Sequence, residues 1–155
     1  MPVEPADTAV MDAPRVLVTL TIAGQLCGIP VDSVRDILGE QSITRIPLAP
    51  PEIAGSLNLR GRIVTAIDLR RRLGLAPAPA GQQRMSVVVE QGGELYALLI
   101  DQASEVMSLG VNTFERNPPT LPPAWAQFST GIYRLDGRLL VVLDVSRLLN
   151  FSETV

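Results

Sequence analysis

The chain contains two copies of one short sequence unit, and this internal repeat restricts its possible folds more than any other feature. Residues 24–37 return as residues 93–106, and residues 55–71 return as residues 131–147, with glycine and apolar positions kept. Two blocks repeated in the same order indicate a duplicated structural unit. Positions at which the copies differ are therefore candidates for function. Identical residues stand at the equivalent positions Gly55/Gly131, Leu59/Leu135, Gly61/Gly137, Arg62/Arg138, Asp68/Asp144 and Arg71/Arg147.

The size of each copy predicts that the two pack together. A unit of about 70 residues has a marginal core when it stands alone. The chain is 46% hydrophobic but only 4% aromatic, so the core is expected to consist of Val, Ile, Leu and Ala. No apolar run reaches the roughly 18 residues of a membrane span, and the start of the chain does not resemble a signal peptide. With Cys27 as the single cysteine, a cytoplasmic protein is expected.

Charge and composition exclude several function classes. The net charge of −3 argues against nucleic acid as a partner, since phosphate binding needs a positive field. The chain has no histidine, which removes the commonest general base and metal ligand. No spacing typical of a metal, nucleotide or nucleophile motif occurs. We therefore expect no cofactor, no metal site and no direct membrane contact.

Short apolar strands separated by turn signals predict a mainly β protein. Predicted hairpins centre on Ala23-Gly24, Arg60-Gly61, Gly92-Gly93 and Asp136-Gly137. Short helical turns are expected after Asp68 and Asp144, from Asp101, and from Asp32, where Val34, Ile37 and Leu38 would share one helical face. Many short strands with regular turns suggest two small five-stranded barrels, one closed or nearly closed by each copy.

The predicted organisation follows the repeat. An acidic, loose N-terminal tail (1–14) precedes a domain at 15–149, made of subdomain one (15–73), a Pro- and Ala-rich linker (74–83) and subdomain two (84–149), before a C-terminal tail (150–155). Two barrels side by side would leave a groove in which a helix of a partner could lie.

Two acidic residues and the cysteine allow catalytic interpretations that we weigh against structural ones. Asp68 and Asp144 are equivalent, like the paired carboxylates of an aspartic protease. Each is nevertheless followed by a predicted helix, so capping of the helix N-terminus is favoured. Cys27 lies in an apolar strand with no histidine to activate it, which favours an inert buried thiol.

Three further motifs are less specific. The PxxP spacings at 47–50 and 119–122 would suit polyproline II ligands, although irregular loops produce them more often. The Arg70, Arg71 and Arg72 cluster is interpreted as a solvated helix face, with contact to an acidic partner as the alternative.

Arg60 stands where the second copy has Asp136 at a hairpin tip. Asp-Gly suits a two-residue turn, whereas arginine is disfavoured because its Cβ makes a positive φ costly. Either this turn has another geometry or the arginine is kept for a function. An exposed hairpin tip is suited to presenting a forked, permanently charged donor.

The same residues carry a resemblance to the CheW-like family of chemotaxis coupling proteins, over about residues 16–149. The segments at 29–38, 46–47, 55–70 and 136–145 match in order, and the Asn58-Leu59-Arg60-Gly61 block with the later Ile67-Asp68-Leu69 is specific. The resemblance implies two intertwined five-stranded SH3-like barrels, no catalytic activity, and a cytoplasmic scaffold at receptor arrays. Its implied partners are a CheA-type histidine kinase, through the kinase's CheW-like regulatory domain, and the helical hairpin tip of a chemoreceptor.

Carried over by position, the resemblance implies receptor binding by Val34, Ile37, Gly55 and Arg60. Thr65 departs from the family pattern, which usually has proline there, and the Pro-rich segment 116–125 is a second departure. Two other functions stay open: an SH3-like module for Pro-rich peptides, which predicts a cluster of exposed aromatic residues, and an aspartic-type hydrolase.

Overall fold

The computed structural model describes residues 15–151, and within them ten strands make up most of the fold. The predicted tail at 1–14 and the last residues, 152–155, lie outside this range. The three short helices are α1 (Leu69–Arg72), α2 (Pro123–Ala126) and α3 (Val145–Leu148). The strands are β1 (Arg15–Ile22), β2 (Gln25–Pro30), β3 (Val34–Leu38), β4 (Ile53–Leu59), β5 (Arg62–Asp68), β6 (Met85–Gln91), β7 (Glu94–Ile100), β8 (Gln102–Leu109), β9 (Ser129–Leu135) and β10 (Arg138–Leu143).

The strands form two five-stranded sheets, and each sheet takes strands from both copies. Sheet A has the order β8-β1-β2-β10-β9, and sheet B has the order β3-β6-β7-β5-β4. The copies are joined by parallel pairs, β10 with β2 and β5 with β7, and by antiparallel pairs, β1 with β8 and β3 with β6. Hairpins within each copy supply the other antiparallel pairs. The predicted β fold with two five-stranded units is confirmed. A barrel built from one copy alone, as the repeat suggested, does not form, and the domain boundaries at 73, 83 and 149 stay a prediction.

Each sheet closes on itself at a seam where one glycine allows the two backbones to approach closely. The chain that continues from β3 pairs with β4 through one bridge, Thr44 to Ser56. An equivalent bridge joins Glu115, beyond β8, to Ile132 in β9. A Cβ at Gly55 would overlap the carbonyl oxygen of Thr44, and a Cβ at Gly131 would lie 2.6 Å from that of Glu115. The repeated glycines are therefore the positions at which both barrels close.

Three apolar clusters stabilise this arrangement because the sheets bury side chains on both faces. A small cluster lies in each barrel, around Leu57, Val64 and Ala97 in sheet B and around Leu17, Tyr133 and Leu140 in sheet A. The largest cluster combines residues of both sheets, among them Leu20, Ile22, Ile67, Val87, Leu98 and Val141. Alternate residues of one strand thus pack into different apolar clusters, because successive side chains of a strand point to opposite faces.

Two predicted helical turns are strands. Residues 31–33 form a single 3₁₀ turn, and Val34–Leu38 continues as β3, paired with β6. A bulge between Val34 and Asp36 interrupts the alternation of faces, so the apolar residues mimic a helical spacing. The segment from Gln102 is β8 rather than a helix, since it pairs with β1. Tertiary strand pairing outweighed the local pattern in both cases.

The arginine cluster at 70–72 is not one solvated face. Arg71 is exposed, but Arg72 is 7% exposed and lies between the rings of Phe128 and Phe151, 4.8 and 4.6 Å from its Cζ. Its Nε donates to the carbonyl of Leu148 at 2.7 Å, and its Nη2 donates to those of Arg147 and Asn150. Arg72 therefore caps the C-terminal end of α3 from the other copy.

Arg70 joins a second polar cluster that links both sheets. Its guanidinium makes a bidentate ion pair with Asp101, at 3.0 and 2.7 Å, and both side chains are largely buried. Asp101 Oδ2 also accepts from the backbone N–H of Ala23, in the β1–β2 turn, at 2.8 Å. Burial alone would raise the pKa of Asp101, but the hydrogen bonds from Arg70 and Ala23 outweigh it and lower the pKa.

Asp101→Asn is expected to lower the free energy of unfolding at pH 7 by about 1–3 kcal/mol, because buried donors lose a charged acceptor. A carboxyl group whose pKa is lowered on folding stabilises the protein above its unfolded-state pKa. That contribution is lost as the pH falls through the lower, folded-state pKa. Urea unfolding at pH 7 and near pH 3 should therefore show a stability difference that shrinks in acid. A difference that is equal at both pH values would contradict the ionised role of Asp101.

Candidate protein-interaction site

Arg60 occupies the tip of the β4–β5 hairpin in a backbone conformation that is unusual for arginine. Its φ is +52° and that of Gly61 is +85°, while Asp136 and Gly137 have +42° and +80° in the equivalent turn. Both turns thus have the geometry of a type I′ hairpin. The side chain of Asn58 supports the first turn by accepting from the N–H of Gly61 at 2.9 Å. Arg60 therefore adopts a positive φ, and arginine occupies this position although that backbone conformation is unfavourable for it.

The guanidinium of Arg60 reaches across the seam of sheet B to Asp36 on β3. Arg60 Nη2 lies 3.1 Å from Asp36 Oδ2, and the two side chains are 80% and 23% exposed. Asp36 Oδ1 accepts from the N–H of Ile37 at 2.8 Å. The pair belongs to a cavity of about 230 Å³, here called the Arg60 pocket, which is lined by Arg35, Asp36, Leu59, Arg60, Arg62, Val88, Glu90 and Leu95.

The remaining predicted residues lie on the two edge strands that meet at this seam, with different exposure. Ile37 is 39% exposed on β3, next to Asp36. Val34 is half-buried on the same strand and packs against the large core. Gly55 is buried on β4 at the barrel closure and offers no surface of its own. Ile37 and Arg60 are therefore both exposed, but Ile37 does not line the Arg60 pocket, while Val34 and Gly55 lie within the strands of sheet B.

The Arg60 pocket lies on sheet B and not between the two sheets. The residues that line the Arg60 pocket come from strands of sheet B and the tip of its hairpin. The space between the sheets is filled by the large apolar core. A separate cavity of about 480 Å³ is lined by residues of sheet A, the start of α3 and neighbouring loops, with Gln91 from β6, and shares no lining residue with the Arg60 pocket.

The duplicated acids act as helix caps. Asp68 Oδ1 accepts from the N–H of Arg71 at 3.3 Å, and Asp144 Oδ1 accepts from those of Ser146 and Arg147 at 3.0 and 3.3 Å. Each carboxylate also has its own arginine, Arg84 for Asp68 and Arg147 for Asp144. Because each acid is committed to a different helix and a different cation, the arrangement is not that of two carboxylates sharing a proton.

Other candidate features are buried. Cys27 is inaccessible, and burial raises the pKa of its thiol, so it is not a nucleophile.

Within residues 15–151 no aromatic side chain is exposed, whereas an SH3-like site for Pro-rich peptides needs several. None of the helices in this range is long and apolar enough to cross a bilayer.

Sequence reasoning missed Asp36, the partner of Arg60. It falls in the segment interpreted as a helix, whose apolar face was expected to consist of Val34, Ile37 and Leu38. No alternation of apolar and polar residues marks an edge strand here, because the charged residues Arg35 and Asp36 are adjacent.

Comparison with known proteins adds independent information. A family model described as "CheW-like domain" matches residues 16–153. A probable chemotaxis protein CheW of Rhizobium etli is 30% identical over 140 residues, covering 90% of this chain and 89% of that protein. The chemotaxis protein CheW of Klebsiella aerogenes is 29% identical, with 86% and 80% covered. The crystal structure of the scaffolding protein TtCheW from Thermoanaerobacter tengcongensis superposes with a TM-score of 0.78 at 29% identity, covering 88% of this chain and 93% of that one.

Proposed function

Because the chain belongs to the CheW-like family, we propose that it is a scaffold of chemosensory signalling that couples chemoreceptors to a CheA-type histidine kinase. The match of the family model to almost the whole described chain carries this proposal. Two rigid sheets that share one core suit a part that holds partners at fixed geometry. A receptor movement is then transmitted as a change in kinase activity rather than absorbed by the scaffold. The protein performs no reaction itself and works in the cytoplasm, at receptor arrays.

The receptor-binding surface is the Arg60 pocket together with Ile37. A guanidinium that is 80% exposed can donate to carbonyl or carboxylate groups at the tip of a receptor helical hairpin. Asp36 holds one nitrogen of the fork across the seam and thereby orients the others. Ile37, which follows Asp36 on β3 and is 39% exposed, supplies apolar area to the same partner. Val34 and Gly55 contribute indirectly, by fixing the strands that carry these side chains.

Arg60→Ala is expected to weaken binding to a receptor cytoplasmic fragment by about 10- to 100-fold, since a charge-assisted hydrogen bond is worth roughly 1.5–3 kcal/mol. The free energy of unfolding should change by less than about 1 kcal/mol, because the guanidinium of Arg60 is 80% exposed and its ion pair is screened by water. Titration with the receptor fragment and urea unfolding measure these two quantities. Arg60→Lys should restore little, since lysine lacks the forked geometry.

Arg138→Ala is the matched control, because Arg138 is an exposed arginine beside the equivalent hairpin turn of copy two. It should leave receptor affinity unchanged. If Arg60→Ala unfolds the domain, Arg60 is structural. If both variants bind receptor equally well, the Arg60 pocket is not the receptor surface.

A further inference from the structure

The hairpin that carries Arg60 and its counterpart in copy two make the same turn from residues of different suitability. The first central residue has a positive φ in both turns, +52° at Arg60 and +42° at Asp136. Asp-Gly adopts this type I′ geometry readily, whereas the Cβ and long side chain of arginine disfavour it. The copy-one turn therefore needs a stabilising contact that the copy-two turn does not.

Asn58, near the end of β4, supplies such a contact. Its side-chain Oδ1 accepts a hydrogen bond from the backbone N–H of Gly61 at 2.9 Å. Acceptor and donor lie on either side of Arg60 in the sequence. The bond therefore restrains the backbone dihedrals between them, those of Arg60 included.

The equivalent position in copy two carries a residue that cannot make this bond. Arg134 stands where the repeat aligns Asn58. An arginine side chain has five N–H donors and no acceptor, so it cannot accept from its turn. Its Nε donates to Glu115 Oε1 at 3.0 Å instead. A side-chain acceptor at this position thus occurs in the copy whose turn contains the unfavourable residue.

Arg60 is held at both ends. Asp36 lies 3.1 Å from Nη2 and restrains the guanidinium, while Asn58 restrains the backbone from which the side chain starts. The guanidinium is nevertheless 80% exposed, so its other N–H groups are open to a partner. Ordering these groups before binding lowers the entropy that association costs.

We propose that Asn58 is a positioning residue for receptor binding, because it holds the β4–β5 turn in the positive-φ conformation that presents Arg60. This inference rests on the proposed function, since the receptor is taken from it. Without the Asn58 acceptor, the turn populates other conformations that direct the guanidinium elsewhere. The apparent receptor affinity then falls in proportion to the fraction of chains that keep the binding-competent turn.

Asn58→Ala should weaken binding of a receptor cytoplasmic fragment by about three- to tenfold, the range that corresponds to one exposed hydrogen bond. In an Arg60→Ala chain the same substitution should change receptor affinity less than about twofold, because no guanidinium is left to position. Asn58→Asp keeps an acceptor of the same length. With its added charge screened by salt, it should bind like the wild type at the same salt concentration.

Amide hydrogen exchange tests the turn in the absence of receptor. The N–H of Gly61 should exchange faster in Asn58→Ala than in the wild type, while the amides of the core strands keep their protection. This pattern separates a local change of the turn from a loss of global stability. Unchanged exchange at Gly61 would overturn the inference at its first step.

Arg134→Ala is the matched control, because it truncates the equivalent residue of the copy-two hairpin. It should bind the receptor fragment like the wild type. Equal receptor affinity for Asn58→Ala and wild type would overturn the inference alone. An equal loss with and without Arg60 would show that Asn58 contacts the receptor itself, which also overturns it. A wild-type chain that binds no receptor fragment would contradict the proposed function and the inference with it.

Discussion

Arg72→Met is expected to lower the free energy of unfolding by about 3–5 kcal/mol. Methionine fills much of the same volume between Phe128 and Phe151, but it cannot donate to the carbonyls of Arg147, Leu148 and Asn150. Leaving buried acceptors without a donor costs about 1–3 kcal/mol each, and the cation–π contacts are lost as well. Chemical denaturation monitored by circular dichroism measures the change.

The neighbouring residue provides the control for this experiment. Arg71 belongs to the same helix but is exposed, so Arg71→Met should stay within about 0.5 kcal/mol of the wild type. If both variants are equally stable, the hydrogen bonds of Arg72 do not hold α3 in place.

Gly55→Ala is expected to destabilise the protein by about 2–4 kcal/mol, because two costs combine at one position. The φ of Gly55 is +149°, which L-residues rarely adopt, and a methyl group would overlap the backbone carbonyl of Thr44. A backbone atom in a closing bridge cannot move aside as a side chain can. Differential scanning calorimetry should show a lower melting temperature, and receptor binding should fall only in proportion to the unfolded fraction.

Two other glycines separate the possible explanations. Gly131→Ala should behave like Gly55→Ala, since it meets the Glu115 carbonyl at the equivalent seam. Gly39→Ala should have little effect, because a Cβ there meets no atom within 4 Å. A stable Gly55→Ala protein that no longer binds receptor would show that Gly55 acts directly at the interface, contrary to its buried position.

The hairpins could be predicted from sequence because their information is local. Ala23, Arg60, Gly92 and Asp136 each precede a glycine, and all four have a positive φ in the folded chain. The N-caps Asp68 and Asp144 were predictable for the same reason, as the acceptor and its donors lie within three residues.

The exchange of strands between copies could not be predicted from the residues alone. Equivalent strands have similar apolar patterns, so β2 offers no sequence preference between a partner in its own copy and β10 of the other. The bulge beside Val34 gives β3 an apolar spacing that resembles a helix. For the same reason Asp36, the partner of Arg60, could not be identified from sequence. The role of Arg72 could not be predicted either, because it donates to main-chain carbonyls, which every residue possesses.

The interleaving of the copies also governs how the molecule is made. When the ribosome has released only the first copy, β1 and β2 can pair with each other. Their outer neighbours, β8 and β10, are not yet synthesised. Sheet B is similarly missing β6 and β7, which separate β3 from β5. The nascent chain must therefore carry unpaired strand edges until translation is almost complete, which is a period of exposure to chaperones and to misassembly.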